Sequence, residues 1–332
     1  MGNHAKLCIV HLFVVKYQHM KKTIITIVVI VIAIIIVIFV FKSPAATTPA
    51  DQSPASTVGT TDTTGSTNPT STQSTSTQNT VLTNGAASII GKSVAGRDID
   101  AYHYGTGSTE LLFVGGIHGG YEWNTALVAY QLMDYLAANP TAIPANVTVT
   151  VIPVLNPDGL NEVVGTTSPN FTVADVSKDS ATVVSGRFNG NNVDLNRNFD
   201  CDWQTTGKWQ SKTVSGGSAA FSEPESQAMK SYIETNKPTA VVVWYSAAGG
   251  VYASNCHTGV SAETSAIMNA YAAASGYPAN ESFDFYSTTG DMTNWLAKIG
   301  TPTISVLLTN HTDTEWSKNL AGVQALFKYY TR

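Results

Sequence analysis

The sequence predicts an α/β domain with helices on both faces of its sheet, preceded by one membrane-spanning helix. Short apolar runs rich in β-branched residues alternate with longer amphipathic stretches through the C-terminal part of the chain. Such alternation is typical of an α/β domain, because parallel strands that are buried on both faces need helices on both sides of the sheet. A run of 19 uncharged, mostly apolar residues lies near the N-terminus, and a tract of small polar residues follows it.

The composition argues against two classes of protein. Lys and Arg number 18 against 23 Asp and Glu, which gives a net charge of −5 and a pI near 5.8. This balance indicates no basic surface for nucleic acid. Charged residues are only 12% of the chain, about half of the roughly 25% usual in soluble domains, which indicates a membrane segment or a long uncharged tract. Three cysteines are too few for a small disulfide scaffold.

Residues 23–41 form the predicted membrane-spanning helix. At about 1.5 Å rise per residue, this segment covers roughly 28 Å and can cross the hydrocarbon core of a bilayer. A cleaved signal peptide is the alternative, but its apolar region is usually about 7–15 residues long and ends at small residues. Lysines are more frequent before the segment than directly after it. Residues 1–22 are therefore predicted to lie in the cytoplasm and the domain outside it, as in a single-pass membrane protein.

Residues 42–87 are predicted to form a flexible linker. Ser, Thr, Pro, Ala, Gln and Asn dominate this stretch, and after Lys42 only Asp51 and Asp62 are charged. It contains little that a core could bury. Residues 88–332 are enough for one domain with a substantial core.

Within this domain the strands and helices are predicted from the hydrophobic pattern. Four apolar, β-branched runs predict buried strands: Glu110–Gly116, Val147–Val154, Ala240–Tyr245 and Thr303–Leu308. Five amphipathic stretches between and after them predict helices: Trp123–Ala138, Ser222–Thr235, Ser261–Ser275, Met292–Ile299 and Thr314–Tyr330. In such a sheet ligands bind beyond the carboxyl ends of the strands, so the residues that follow the strands are candidates for chemistry.

A histidine and a glutamate follow the first predicted strand directly. His118 and Glu122 lie four positions apart in GGIHGGYE, where a strand turns into a helix. An imidazole and a carboxylate placed in this way can bind one metal ion, because both are common zinc ligands. A strand-end histidine that is merely hydrogen-bonded is the alternative.

A second cluster follows the next predicted strand. After NPDG at residues 156–159, Arg187 leads into VDLNRNFD, which contains Asn196 and Arg197. Two arginines and an asparagine in a stretch with few charges suit bidentate recognition of a carboxylate. A surface arginine pair beside local helix caps is the alternative.

These motifs, in the order HGGYE, NPDG, R-x-N, VDLNRNFD, SEPE and Tyr-x-x-x-Gly, resemble the zinc carboxypeptidases of the carboxypeptidase A type. The resemblance covers roughly residues 95–330. It implies a mixed, largely parallel sheet, a zinc ion and removal of the C-terminal residue of a peptide. His118 and Glu122 are similar to the first two zinc ligands, although the family more often spaces them His-x-x-Glu.

The resemblance also implies how a substrate is bound. Arg187 is similar to the arginine that polarises the scissile carbonyl and stabilises its oxyanion. Asn196 and Arg197 resemble the pair that binds the terminal carboxylate of the substrate. Tyr286 resembles the tyrosine that closes over the bound terminal residue, with a place in the core as its alternative.

Two positions depart from the family pattern. Where the family has its third zinc ligand, a histidine at a strand end, this sequence has Tyr245, and a phenol with a pKa near 10 is a poor ligand at neutral pH. Where the family has its general base, a glutamate in the strand after residue 300, this sequence has Leu307, or Leu308 in the other register. The resemblance therefore implies that zinc is weakly held or absent and that hydrolysis is impaired.

Three residues are candidates to replace the missing groups: His257, His311 and Glu315. Structural roles are expected for them instead, in a loop and at a helix N-terminus. Cys201 and Cys256 lie next to motif-bearing segments, on the side of the membrane where thiols oxidise. A disulfide between them is predicted, with two free buried thiols as the alternative.

Two functions are compatible with these residues. The first is a membrane-anchored zinc carboxypeptidase that removes C-terminal residues from peptides or from peptidoglycan stem peptides. The second is an inactive relative that binds the same termini through Arg187, Asn196 and Arg197. A purely structural or adhesive protein is disfavoured, because it has no physical need for two arginines at one crevice.

Overall fold

The computed structural model describes residues 85–331. The predicted cytoplasmic segment 1–22, the predicted membrane helix 23–41 and nearly all of the predicted linker 42–87 lie outside the described residues. From 85 to 331, no helix combines the length and the apolar character needed to cross a membrane. The first strand begins at Ala86, two residues before the predicted start of the domain.

Ten strands form two sheets among the described residues. They are β1 (Ala86–Lys92), β2 (Asp98–Gly105), β3 (Thr109–Val114), β4 (Val147–Ile152), β5 (Thr206–Trp209), β6 (Lys212–Ser215), β7 (Ala240–Ser246), β8 (Gly250–Ala253), β9 (Ala279–Asn280) and β10 (Thr303–Leu308). The large sheet has the order β1-β2-β4-β3-β7-β10-β8-β9, and β5 pairs with β6 in a separate hairpin. The four central strands of the large sheet, β4, β3, β7 and β10, are parallel to one another. On one side β2 pairs with β4 in antiparallel fashion, as does β1 with β2, and on the other side β8 pairs antiparallel with β10.

Between residues 85 and 331, seven α-helices connect and cover these strands. They are α1 (Trp123–Ala138), α2 (Pro157–Val164), α3 (Ser180–Ser185), α4 (Pro224–Asn236), α5 (Ala262–Ser275), α6 (Met292–Lys298) and α7 (Trp316–Tyr330). The described part of the chain also contains four single-turn 3-10 helices: Gly119–Glu122, Pro140–Ala142, Val173–Asp175 and Leu195–Arg197.

The core consists of two apolar layers, one on each face of the large sheet. Alternate residues of one strand point to opposite layers: Phe113 packs in the layer covered by α1, α5 and α7, whereas Leu112 and Val114 pack in the layer covered by α4 and α6. This division follows from the two-residue period of a strand. The predicted α/β class, with a mixed, largely parallel sheet and helices on both faces, is confirmed.

The sequence pattern located the central elements well and missed the outer ones. The predicted helix Trp123–Ala138 and the predicted strand Thr303–Leu308 have the observed bounds. Strands β1 and β2 were not predicted. Residues of β1 alternate between partly buried and exposed positions, and those of β2 between buried and less buried positions. Both strands therefore lack the continuous apolar run of a strand buried on both faces.

A disulfide joins two loops beside the carboxyl ends of the strands. Cys201 and Cys256 are linked by an S–S bond of 2.16 Å across 55 residues of sequence. Cys201 also accepts a backbone hydrogen bond from Gly290 at 2.7 Å. These links tie the loop after β8 and the segment before α6 to the VDLNRNFD segment.

Candidate active-site crevice

A cavity of about 230 Å³ opens at the carboxyl ends of the central strands. Residues from separate strand ends line it: His118 follows β3, Tyr245 lies near the end of β7, and Leu307 lies near the end of β10. Parallel strands end at the same edge of a sheet, and the crevice there is the usual ligand site of α/β proteins. The structure thus brings together residues that are up to 189 positions apart.

His118 and Glu122 are brought together by a tight turn. His118 precedes the 3-10 helix Gly119–Glu122. Gly119 has φ +44°, and a Cβ atom there would lie 2.6 Å from the carbonyl oxygen of Gly186, so a side chain does not fit. The turn places Nδ1 of His118 2.9 Å from Oε1 of Glu122.

Buried polar atoms at this pair lack hydrogen-bond partners. Among the described residues, Nδ1 and Nε2 of His118 and Oε2 of Glu122 make no hydrogen bond of normal geometry. Oδ1 of Asp194 lies 3.3 Å from Nε2 of His118. A carboxylate behind a histidine is the arrangement that orients metal-binding imidazoles. These two side chains therefore fit the first half of a zinc site.

The third ligand position does not fit zinc. Tyr245 is buried there, and its hydroxyl group donates a hydrogen bond of 3.3 Å to Oδ1 of Asn196. Burial, together with the negative charges of Asp291 and Glu122, raises the pKa of Tyr245 well above its usual value, so its phenol stays protonated at neutral pH.

The protein ligands present are thus fewer than a catalytic zinc ion requires. Catalytic zinc is usually held by three protein ligands. No cluster of three His, Cys, Asp or Glu side chains that is able to hold a metal ion occurs between residues 85 and 331. His118 and Glu122 would contact a zinc ion, but alone they form an incomplete site.

The two leucines that are candidates for the position of the family's general base face opposite sides of the sheet. Leu307 lines the cavity and belongs to the same apolar layer as Tyr245. Leu308 is fully buried in the opposite layer. An alkyl side chain takes up no proton, so position 307 supplies no base.

Arg187 is held in place by an ion pair and by an aromatic ring. Its Nε and Nη2 atoms lie 2.9 and 2.8 Å from Oδ2 of Asp194, and its guanidinium carbon lies 4.6 Å from the ring centre of Trp209. Burial alone would raise the pKa of Asp194, but the positive charge of Arg187, the hydrogen bond and charge of His118 and the charge of Arg197 together outweigh burial and lower this pKa. Arg187 is buried and lines the cavity, with Nη1 3.8 Å from Oε1 of Glu122.

Asn196 and Arg197 lie in the cavity wall. Arg197 donates from Nε and Nη2 to the carbonyl oxygen of Lys208 at 3.0 and 2.8 Å, and from Nη1 to that of Asn196 at 2.5 Å. These three bonds leave two of the five N–H groups of an arginine for a ligand. Asn196 donates to Oδ2 of Asp291 at 2.7 Å and accepts from the backbone of Met292 at 3.0 Å.

Tyr286 lies at the rim of the cavity and is only partly buried. Its ring centre is 5.8 Å from the guanidinium carbon of Arg197. Phe283 packs against it at 5.1 Å, and Phe285 is 68% exposed on the same loop. Tyr286 therefore lies at the rim of the crevice and not in the core.

The three candidate replacements have other contacts. His257 lies 2.7 Å from Asp202 on the surface and does not line the cavity. Nδ1 of His311 lies 2.8 Å from Oγ of Ser246 at the outer part of the crevice, and burial lowers the pKa of its imidazole. Glu315 accepts from the backbone N–H of residue 309 at 2.6 Å, which stabilises the loop after β10.

Sequence reasoning missed several residues of the crevice. Asp194 is part of the VDLNRNFD motif, so the motif could have indicated it as a site residue. Asp291 follows the Tyr-x-x-x-Gly segment directly and lines the cavity. Trp209 stacks on Arg187, but no pattern in the sequence marks a lone tryptophan in a short hairpin.

Comparisons with known proteins agree with this architecture. Residues 84–330 match the sequence model of the zinc carboxypeptidase family. Gamma-D-glutamyl-L-diamino acid endopeptidase 1 of Lysinibacillus sphaericus is 29% identical over 159 residues, which are 42% of this chain and 40% of that protein. The chain therefore matches only about two fifths of the length of that relative.

Solved structures show the same fold. Thrombin-activatable fibrinolysis inhibitor superimposes with a TM-score of 0.60 and 17% identity, over 74% of this chain and 69% of that one. Murein-tripeptide amidase MpaA of Escherichia coli O157 superimposes with a TM-score of 0.50 and 20% identity, over 73% and 91% of the two chains.

Asp194→Asn is expected to destabilise the domain by about 3–5 kcal/mol at pH 7, because it leaves the buried guanidinium of Arg187 without its counter-charge. Folding lowers the pKa of Asp194. The ion pair with Arg187 therefore stabilises the domain at pH values above the pKa of an unfolded aspartate, and this stabilisation is lost as the pH falls toward the lowered pKa. Denaturant unfolding at pH 7 and at pH 3 measures both effects. The exposed Asp134→Asn is the control, and equal free energies of unfolding for the two variants at pH 7 would contradict the prediction.

Proposed function

The chain belongs to the zinc carboxypeptidase family, and from this premise we propose that it binds peptides by their free C-terminal carboxylate, with little or no hydrolysis. The main support for the proposal is the position of Leu307 in the wall of the cavity that Arg187 and Arg197 also line. We assign recognition to Asn196, Arg197 and Tyr286, whereas hydrolysis would also need a general base and a third zinc ligand, which Leu307 and Tyr245 do not supply.

The recognition side chains support carboxylate binding. Among residues 85–331, the hydrogen bonds of Arg197 go only to the neutral carbonyl groups of Lys208 and Asn196, so these partners do not compensate its charge. Two of its N–H groups remain for a ligand, and a guanidinium binds a carboxylate with two parallel hydrogen bonds. Tyr286 at the rim is placed to cover a bound terminal residue.

The hydrolytic side chains are incomplete. A water molecule that attacks a peptide carbonyl must give up a proton, and Leu307 has no group that accepts it. Tyr245, as a neutral phenol, does not complete a set of zinc ligands. An active zinc carboxypeptidase is the second candidate, favoured by the retained pair of His118 and Glu122 and by the carboxylate of Asp194 behind it.

Stem peptides of the bacterial cell wall are the ligands that we propose. The relative from Lysinibacillus is named an endopeptidase for gamma-D-glutamyl-L-diamino acid bonds, and a structural neighbour is a murein-tripeptide amidase. A domain anchored outside the cytoplasmic membrane by residues 23–41 would face such peptides. The proposal therefore includes a single-pass membrane anchor and an extracytoplasmic domain.

Arg197→Ala is expected to weaken binding of a peptide with a free C-terminus by at least about tenfold, since a charge-assisted contact contributes on the order of 1.5–3 kcal/mol. Isothermal titration calorimetry with a stem tripeptide measures the loss. C-terminal amidation of the peptide should weaken binding to the unmodified protein similarly, which tests the contact without changing the fold. Equal affinities for the acid and the amide would remove the basis of the proposal.

The double variant Tyr245→His/Leu307→Glu is expected to gain both zinc occupancy and hydrolysis of C-terminal reporter peptides. General acid–base catalysis typically contributes about 10²–10⁴-fold in rate, and a third protein ligand completes a catalytic zinc site. Metal analysis and a peptidase assay measure the two gains. Tyr245→His/Leu308→Glu is the matched control, because position 308 faces the opposite core layer and should add no activity.

The unmodified protein is expected to bind zinc weakly and to turn over reporter peptides very slowly. One zinc ion per chain after dialysis, together with brisk hydrolysis, would show that the second candidate is right. His311 would then be the first residue to test as a replacement, because it lines the outer crevice.

The full-length chain is expected to remain in the membrane fraction after carbonate extraction, because residues 23–41 are uncharged and long enough to span a bilayer. Fractionation followed by immunoblotting measures this. A chain that starts at residue 42 should be soluble under the same conditions. A full-length protein found mainly in the soluble fraction would refute the anchor.

A further inference from the structure

A row of hydrogen-bonded polar side chains crosses four adjacent strands of the large sheet, away from the crevice. Oγ of Ser88 on β1 lies 2.9 Å from Nε2 of His103 on β2, and Nδ1 of His103 lies 3.1 Å from Oγ1 of Thr150 on β4. The hydroxyl group of Thr150 donates to Oε1 of Glu110 on β3 at 2.7 Å. None of these four residues lines the crevice.

The order of donors and acceptors in this row fixes the position of the imidazole proton. An ionised carboxylate only accepts hydrogen bonds, so Thr150 gives its one hydroxyl hydrogen to Glu110, and its oxygen accepts from the Nδ1–H of His103. Nε2 of His103 then carries a lone pair, and it accepts the hydroxyl hydrogen of Ser88. The row therefore aligns a hydroxyl group, a neutral imidazole and a carboxylate, the last two joined through one threonine.

Burial keeps His103 in the neutral form that can take up a proton. The residue is only 8% exposed, and burial lowers the pKa of its imidazole, although the negative charge of Glu110 acts in the opposite direction. Oε1 of Glu110 accepts hydrogen bonds from two uncharged hydroxyl groups, those of Thr150 and Tyr232, at 2.7 and 2.5 Å. Neither partner neutralises the carboxylate, so its charge stabilises an imidazolium that forms at His103.

Ser88 is the accessible end of the row. Strand β1 lies at the edge of the sheet that the described residues form, and Ser88 is only partly buried on it, whereas Thr150 is completely buried. A reagent in solution can therefore meet the hydroxyl group, while the groups behind it are shielded from water. A serine within hydrogen-bond distance of a base that a third group orients is the arrangement that activates nucleophilic hydroxyl groups.

We propose that Ser88 is a nucleophilic site that takes an acyl group from an activated carboxylic ester, with His103 as its general base. Thr150 and Glu110 are positioning residues, because they act on the serine only through the imidazole. This second site does not depend on the proposed binding of free C-termini.

The transfer step uses these side chains and the ester. As Oγ of Ser88 forms a bond to the carbonyl carbon of the ester, its proton passes to Nε2 of His103. The bond between the carbonyl carbon and the leaving oxygen then breaks, and His103 gives the proton to that oxygen. The products are an acylated Ser88 and an alcohol, and nothing is oxidised or reduced.

A purely structural network is the alternative, since buried polar groups are normally hydrogen-bonded whatever their chemistry. The two roles differ in the reactivity that they give to the serine. Hydrogen bonding alone gives Ser88 no advantage over an exposed serine, whereas assistance by a base does. Ser231 on α4 is exposed and serves as the reference.

The decisive experiment measures acetylation of the unmodified, full-length protein in detergent by p-nitrophenyl acetate, with EDTA present. Peptide mass spectrometry at successive times gives the rate of acetylation at each serine. Ser88 is expected to react at least about tenfold faster than Ser231, because general acid–base catalysis typically contributes about 10²–10⁴-fold. Equal rates at the two serines would overturn the proposal.

A variant of the histidine tests its role as the base. His103→Gln keeps a side chain that forms hydrogen bonds but removes the basic nitrogen, so acetylation at Ser88 should fall to the rate at Ser231. Unchanged acetylation at Ser88 in a folded His103→Gln protein would overturn this role. If circular dichroism shows that the variant does not fold, the comparison of the two serines in the unmodified protein decides the proposal.

A matched pair of variants at Thr150 tests the connection to the carboxylate. Thr150→Val removes the hydroxyl group with little change of shape and should slow acetylation at Ser88 by about tenfold or more, because the imidazole loses its orienting partner. Thr150→Ser keeps the hydroxyl group and should keep the rate. Equal rates for the two folded variants would overturn the positioning role of Thr150 and Glu110.

The result is distinguishable from that of the proposed function, because the two measurements share no residue. Titration with the C-terminal acid and amide tests carboxylate recognition by Arg197, whereas acetylation tests Ser88. An unreactive Ser88 would overturn only the present proposal. Equal affinities for the acid and the amide would overturn only the proposed function.

Discussion

The buried ion pair between Arg187 and Asp194 is the interaction on which the crevice depends. Two charged groups that are almost fully buried persist only when each compensates the other, because an unpaired buried charge costs several kcal/mol. Asp194 uses its second oxygen to approach His118, and His118 in turn lies against Glu122. One carboxylate thus contacts both the guanidinium group of Arg187 and the imidazole of His118. These contacts also explain how the crevice keeps its shape, since removing any charged member would leave another one unpaired.

The short hairpin β5–β6 secures both arginines by different means. The ring of Trp209 lies over the guanidinium group of Arg187, and the carbonyl oxygen of Lys208 accepts two N–H groups of Arg197. At Gly207 a Cβ atom would come within 2.7 Å of the Arg197 side chain, so the hairpin packs too closely for a larger residue. Neither the Trp209 contact nor the Lys208 contact involves His118 or Glu122. The hairpin therefore fixes the two guanidinium groups, while Asp194 couples Arg187 to His118.

The pattern of retained and lost groups has a consistent chemical meaning. Where the family pattern predicts a metal ligand, Tyr245 presents a neutral hydroxyl donor that contacts Asn196, and where it predicts a base, Leu307 presents an apolar surface. A neutral phenol is a poor zinc ligand and an alkyl group takes up no proton. Glu122 and Asp291 remain in the wall of the same cavity.

The sequence alone determined the family and the central elements, because motifs such as VDLNRNFD are local, and it predicted departures from the family pattern at Tyr245 and at Leu307 or Leu308. Alternate strand residues face opposite layers, so only the packed sheet decided that Leu307 faces the cavity while Leu308 faces the core. Likewise Asp291 lies 95 residues from Asn196 along the chain, and no local pattern predicts their contact. Which hydrogen-bonding groups are already used, and which remain for a ligand, depends on such long-range contacts and was decided by the tertiary structure.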